Sequence, residues 1–409
     1  MRFVDLGRWG GGILLLGCLW LLPVLPLPTH PITATAQAAT VTPETALSRL
    51  LTADELEAAW FADSFLAQIS LAQIEQILRG ITTSLGAYQS VEAAGEQYLL
   101  TFERGIVPTR IVLNSAGQIT GLLFETPQLT NLTLDQLIER LTELPGEVSL
   151  LVMRDGAELA AVAADRPLAI GSAFKLLILQ ALQAQIESGE HAWDEVVPLQ
   201  AEYRSLPSGR LQDWPVGSPM TVQTLATMMI SESDNTATDH LLALVGRDAV
   251  EALTPRNRPF LSTREFFSLK DPQNQALLRR YRDGSERERR GVLGAIATLP
   301  LPSVNIFNNG PVALDVEWFL SARELCRTIA TVADLPSMQV NPGLVDPNHW
   351  QRVAFKGGSE PGVINFTTDL LADDGHRYCI AATWNNPEGV DEIEFSTLYR
   401  SAVAAMRSQ

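Results

Sequence analysis

A chain of 409 residues with 46% hydrophobic content is long enough for two domains, each with its own core. A formal charge of −17 disfavours phosphate-backbone binding, so no nucleic-acid partner is expected. The one arginine-rich run, 279–290, is interleaved with Asp283, Glu286 and Glu288 and reads as a salt-bridged helix surface. Histidines and cysteines are scattered without C-x-x-C or H-x-x-x-H spacing, so neither a metal nor another cofactor is expected.

The N-terminus carries Arg2 and Arg8, an apolar stretch from Gly11 to about Leu27, and the small-residue site Ala36-Gln37-Ala38. That order predicts a secretory signal over residues 1–38 and a periplasmic or extracellular protein. The alternative is a retained membrane anchor, although Pro23, Pro26 and Pro28 shorten the usable helix, and Cys18 offers a weaker lipoprotein-type site. No later stretch reaches the roughly 20 apolar residues of a membrane span. Cys326 and Cys379 are the cysteines left after processing; an exported protein can pair them, but their spacing does not decide whether it does.

Residues 42–128 change period midway. Apolar residues recur at three and four residue steps up to about Gly86, then short β-rich runs follow, with a hairpin turn at Asn114–Gly117. Helices followed by a strand meander predict a small α+β domain, loosely similar to the cone-shaped steroid-isomerase-like domains, and no acid or base constellation stands out in it.

The second domain is read as residues 130–409. It opens with a helix over 131–144, two antiparallel strands over 147–166 and a buried helix ended by Gly189. Helical patterns fill 192–330, three strands return between 352 and 386, and a last helix closes the chain. Strands from both ends must share one antiparallel sheet, which makes the fold α+β with a helical subdomain beside the sheet.

Of 30 basic residues only Lys175, Lys270 and Lys356 are lysines. Arginine serves nearly everywhere a surface charge would do, but a guanidinium cannot give up its proton and a desolvated amine can. Lys175 follows Ser172 by three residues where strand gives way to buried helix, so it can deprotonate that serine and make it a nucleophile. Taken alone the pair also fits a capping serine and a snorkelling lysine. Ser233-Asp234-Asn235 follows between two helical stretches, where it would by itself be a helix cap. Lys356-Gly357-Gly358 ends a strand.

These three segments in this order resemble the serine penicillin-recognising enzymes, most closely class A β-lactamases. The resemblance covers about Leu132 to the C-terminus and implies the β-lactamase/transpeptidase-like fold. It implies attack by Ser172, deprotonation by Lys175 and proton relay by Ser233. Asn235 would bind a substrate amide, Lys356 would attract its carboxylate, and Gly358 and Ser359 would line the site. The backbone N–H groups of Ser172 and Ser359 would form the oxyanion hole, and Tyr203 loosely matches an aromatic wall. Two departures stand out. Gly357 replaces the family's usual hydroxyl residue. The loop glutamate that activates water for acyl release has Glu265 as its candidate, with Lys270 where an asparagine is expected, and a structural ion pair is the competing role for Glu265. The expected activity is hydrolysis of β-lactams through an acyl-Ser172 intermediate. A D-alanyl peptidase or esterase acting on peptidoglycan-like substrates is the alternative, as is a non-catalytic sensor. The oligomeric state is not legible.

Overall fold

The computed structural model describes residues 41–307 and 310–407. The expected signal sequence lies outside the described residues. Contacts divide the chain into two units, residues 135–395 and residues 41–134 together with 396–407. The end of the last helix, read above as part of the C-terminal domain, thus groups with the N-terminal unit.

The N-terminal unit is α+β. Helix α1 (Pro43–Thr52) starts on a Thr42 cap with proline in its first turn, and α2 (Asp63–Leu66) is a single turn. Helix α3 (Leu71–Leu85) opens with a Ser70/Gln73 capping box and stops at Gly86, whose φ of 84° suits glycine. Strands β1 (Tyr88–Ala94), β2 (Gln97–Phe102), β3 (Gly105–Leu113) and β4 (Ile119–Phe124) form an antiparallel meander, and β5 (Gln128–Leu129) pairs with β3. The Asn114–Gly117 turn joins β3 to β4 as expected, closed by a Gly117 N–H to Asn114 carbonyl bond of 3.0 Å. Leu47, Phe61, Phe65, Ile74, Leu100 and Phe102 belong to its core.

The other unit begins with α4 (Leu134–Thr142), β6 (Glu147–Arg154), β7 (Ala157–Val162), β8 (Leu168–Ala169) and α5 (Lys175–Glu187). Next come β9 (Val196–Pro198), β10 (Pro219–Thr221), α6 (Val222–Ser231), α7 (Asn235–Val245), α8 (Arg247–Leu253), α9 (Thr263–Lys270), α10 (Gln275–Asp283) and α11 (Glu286–Ile296). It continues through β11 (Phe319–Leu320), α12 (Ala322–Val332), β12 (Arg352–Glu360), β13 (Val363–Leu371) and β14 (Arg377–Asn385) to the first residues of α13 (Glu392–Met406), which groups with the N-terminal unit from Ser396 on. One antiparallel sheet runs β12-β13-β14-β6-β7, so strands from both ends of the unit do share it. Helix α5 buries Leu176, Leu177, Ile178 and Leu179 in succession, which is why it shows no single apolar stripe. The small pairs β9/β10 and β8/β11 went unread, because two or three residues are too few to display a period of two. Cys326 on α12 and Cys379 on β14 are disulfide-bonded, with Cα atoms 5.9 Å apart. Among the described residues no helix is long and apolar enough to cross a membrane.

Candidate active site

Ser172 lies in a short 3₁₀ turn, Gly171–Phe174, rather than in the first turn of α5 itself, which starts at Lys175. The turn is anchored from below: the Phe174 ring stacks on Trp318 at 3.7 Å, and the Ile170 N–H donates to the Trp318 carbonyl at 3.0 Å. It also lies flush against β12. A Cβ on Gly358 would overlap the Ile170 carbonyl and sit 2.5 Å from the Ser172 nitrogen and 2.7 Å from that of Ala173. Gly171, at φ 49°, would bring a Cβ to 3.0 Å from the Ser359 nitrogen. Glycine at both positions therefore lets the backbones carrying the Ser172 and Ser359 N–H groups approach each other.

Lys175, Ser233, Asn235 and Lys356 come together and are buried. The Lys175 ammonium donates to the Ser233 carbonyl at 2.5 Å, the Ser233 hydroxyl at 3.0 Å and the Asn235 Oδ1 at 2.7 Å. Lys356 Nζ reaches the same Ser233 hydroxyl at 3.1 Å and the Gly357 carbonyl at 2.5 Å. One serine oxygen thus lies within hydrogen-bond reach of two lysine nitrogens. Ser233 holds a φ of 55°, a conformation that costs a non-glycine residue about 1–3 kcal/mol and persists only where its surroundings enforce it. They do: Asp234, fully buried, caps α7 through Ala237 N–H and accepts from the N–H groups of Arg210 and Leu211. Asn235 also donates its amide to the Leu206 carbonyl at 3.0 Å. Burial, then repulsion from Lys356, drives Lys175 well below the ordinary lysine value. Burial brings Lys356 down to about 7.

Glu265 and Tyr203 have partners of their own. The Glu265 carboxylate is engaged by Arg247 at 2.7 and 3.0 Å and by the Ser262 N–H at 2.8 Å, as the third residue of an α9 capping box. The residue of this loop that reaches Asn235 is Thr263. Its hydroxyl bonds Ser205 Oγ at 2.7 Å and Asp239 at 2.9 Å and donates to the Asn235 carbonyl at 3.2 Å. Asp239, buried beneath it, is raised to about 6 by desolvation, although the Thr263 and Arg264 N–H groups favour its ionised form. Tyr203 is half-buried, with its ring edge-on to His240 at 5.2 Å. Gly357 has a steric reason: a side chain there would meet the Phe355 ring at 3.0 Å and the Asn365 carbonyl at 3.3 Å.

Thr263, Asp239 and Ser205 carried no sequence signal, being common polar residues at unremarkable spacing. Lys270 did, through the lysine count. All three lysines of the chain are buried, and Lys270 meets Glu360 at 2.5 Å and Glu317 at 3.8 Å.

Residues 133–266, which include Ser172, Lys175, Ser233 and Asn235, match the model of the β-lactamase enzyme family. No curated protein matches the chain. Among solved structures it is similar to a β-lactamase from Sphaerobacter thermophilus, at 20% identity over 67% of this chain and 96% of that one, with a TM-score of 0.47. PBP-A gives 19% identity over 68% and 97%, with a TM-score of 0.43. An ancestral class A β-lactamase gives 18% over 67% and 98%, with 0.46. The family match thus covers the part of the chain that carries Ser172, Lys175, Ser233 and Asn235, which is similar to the β-lactamase enzyme family.

Proposed function

We propose that the protein is an exported serine hydrolase that forms an acyl-enzyme on Ser172, with β-lactams as its substrates. The observation that carries this reading is the Ser233 hydroxyl held between Lys175 and Lys356 beside the Ser172 turn. Three acceptors favour the Lys175 ammonium, whereas burial and Lys356 oppose it, and burial is the larger effect. Once neutral, Lys175 takes the Ser172 proton as Oγ attacks the acyl carbonyl. Charge developing on the carbonyl oxygen is stabilised by the Ser172 and Ser359 N–H groups, a contribution of about 3–4 kcal/mol per donor in such sites. The ring C–N bond then breaks, and Ser233 hands its proton to the leaving nitrogen while drawing one from the lysine side. Lys356 is the attractor for the substrate carboxylate, and Asn235 borders the side-chain amide. Export is supported by the Arg2/Arg8, apolar and Ala36-Gln37-Ala38 order of the N-terminus.

Gly357 and the engaged Glu265 favour a second reading, a D-alanyl peptidase or esterase with slow acyl release. Turnover of a chromogenic cephalosporin, a D-Ala-D-Ala peptide and a simple ester, each against Ser172→Ala, separates the two. Cephalosporin turnover well above the others supports the β-lactamase reading. Faster peptide or ester turnover replaces it.

A further inference from the structure

The third lysine belongs to a buried cluster that the mechanism above does not use. Lys270, at the end of α9, contacts Glu360 on β12 at 2.5 Å and Glu317 at 3.8 Å, and all three side chains are more than nine-tenths buried. Two carboxyl groups facing one ammonium are balanced when they hold one proton between them. The hydrogen bonds place that proton. Glu317 Oε2 accepts the Trp318 N–H at 2.9 Å and Glu360 Oε1 takes Lys270, which leaves the buried Glu317 Oε1 and Glu360 Oε2 for the side-chain bond that joins the two carboxyls. Burial and the Glu360 carboxylate raise Glu317 well above the usual carboxylate range, so Glu317 holds the proton and donates it to Glu360. On its other side Glu317 lines a cavity with Arg256, Arg258, Arg289, Tyr281 and Asp315. The arginines stay charged, burial pushes Tyr281 up to about 12, and Asp315 is paired with Arg282.

The two carboxyls sit on the two backbones that meet at the nucleophile. Glu360 directly follows Ser359 on β12. Glu317 directly precedes Trp318, whose carbonyl accepts the Ile170 N–H at 3.0 Å and whose ring stacks on Phe174 at 3.7 Å, so Trp318 holds both ends of the Ser172 turn. The shared proton therefore ties the strand carrying the Ser359 N–H to the support of the turn carrying the Ser172 N–H. A second path closes the ring of contacts: Trp318 stacks on Phe266 at 4.7 Å, and Phe266 lies under the Lys270 ammonium at 4.2 Å. Strand and turn have no slack between them, since a Cβ on Gly358 would already overlap the turn.

We propose that Glu317, through the proton it shares with Glu360, is a positioning residue for acylation of Ser172, holding the Ser172 and Ser359 N–H groups at the spacing the carbonyl oxygen needs. This rests on the acyl-enzyme reading above. Loss of the proton leaves two buried carboxylates against one ammonium, and their repulsion drives the Trp318 support and β12 apart. A displacement of about 1 Å costs on the order of 100-fold in a positioned reaction. Acylation thus carries an alkaline limit set by a group that touches neither substrate nor nucleophile.

The test is a pH series from about 6 to 10 on wild type, Glu317→Gln and Glu360→Gln, following adduct formation with a penicillin by rapid-quench intact mass and stability by chemical denaturation. Each variant removes one of the two carboxylates and keeps a side chain able to hydrogen-bond across the gap, so near neutral pH both should acylate close to the wild-type rate. Lys175 and Lys356 titrate in all three proteins, so their effect cancels in the ratio of rates. A wild-type rate that drops about tenfold or more below the variants at the alkaline end supports the proposal. Folding raises Glu317 from 4.5, so the folded chain keeps a proton the unfolded chain has lost, and wild-type stability should also fall with rising pH relative to Glu317→Gln until Glu317 ionises. A stability trend with rates in constant ratio identifies a structural role and overturns the proposal, as does failure of both variants to fold. Should one variant not fold, the other decides by the same ratio. A constant ratio with a Ser172 adduct on wild type leaves the acyl-enzyme reading intact, whereas no wild-type adduct at any pH removes both.

Discussion

Gly358→Ala tests the packing that brings the Ser172 turn and β12 together. The added methyl would overlap the Ile170 carbonyl and lie 2.5 Å from the Ser172 nitrogen, against backbone that cannot rotate away. Restoring van der Waals contact requires β12 and the turn to separate by about 1 Å, a displacement that costs roughly 100-fold in a positioned reaction. Loss of an oxyanion donor gives about the same, 10²–10³. The expected stability loss from overpacking is about 1–3 kcal/mol, so the variant should remain folded. Acylation is measured by stopped-flow with a chromogenic cephalosporin, with thermal unfolding as the check on folding. Gly357→Ala is the comparison: its methyl would first meet the outer edge of the Phe355 ring at 3.0 Å, a group that can shift, so the loss should be much smaller. A folded Gly358→Ala protein that acylates at the wild-type rate would refute the close-approach argument.

Four further outcomes follow from named groups. Burial sets Lys356 at about 7, so its ammonium is lost as pH rises through that value, and KM for a carboxylate-bearing substrate should rise above pH 7 while that for a neutral ester stays flat. The same shift makes the unfolded chain bind more protons than the folded one between about 7 and 10.5, so this group's contribution to stability increases with pH over that window, as denaturant melts at several pH values should show. Lys175→Arg keeps the charge but removes the ability to release a proton, and acylation should fall about 10²–10⁴-fold in a single-turnover assay; a smaller loss would point to another base. Replacing Cys326 and Cys379 together by serine opens a loop of 53 residues and should lower stability by about 4 kcal/mol in chemical denaturation.

That strands from both ends of the unit share one sheet, and the long buried helix, were legible because the apolar runs carry them, and part of the chemistry was legible because lysine is so scarce in this chain. Ser172 and Lys175 could be singled out because an amine one turn from a serine is a chemical choice, whereas Ser233, Asn235 and Lys356 were picked out by the order of the three segments and the resemblance it carries. Which serine proton each lysine faces was not legible: Lys175 bonds Ser233 across 58 residues of chain, a contact set by the fold. Glu265 was ambiguous for a similar reason, since a glutamate three residues after Ser262 fits a capping box as well as a loop base, and only the position of Arg247 shows where its oxygens go. Lys270 was noticed for its rarity but not placed, because its partners lie 47 and 90 residues further along.

The most direct test of the central claim is an intact-mass time course of the protein mixed with a penicillin, with Ser172→Ala alongside. The account predicts an adduct of the drug's full mass on wild type, mapped to the peptide containing Ser172 and absent from the variant. A wild type that stays unmodified under saturating drug, or a Ser172→Ala protein that is modified equally, would contradict it.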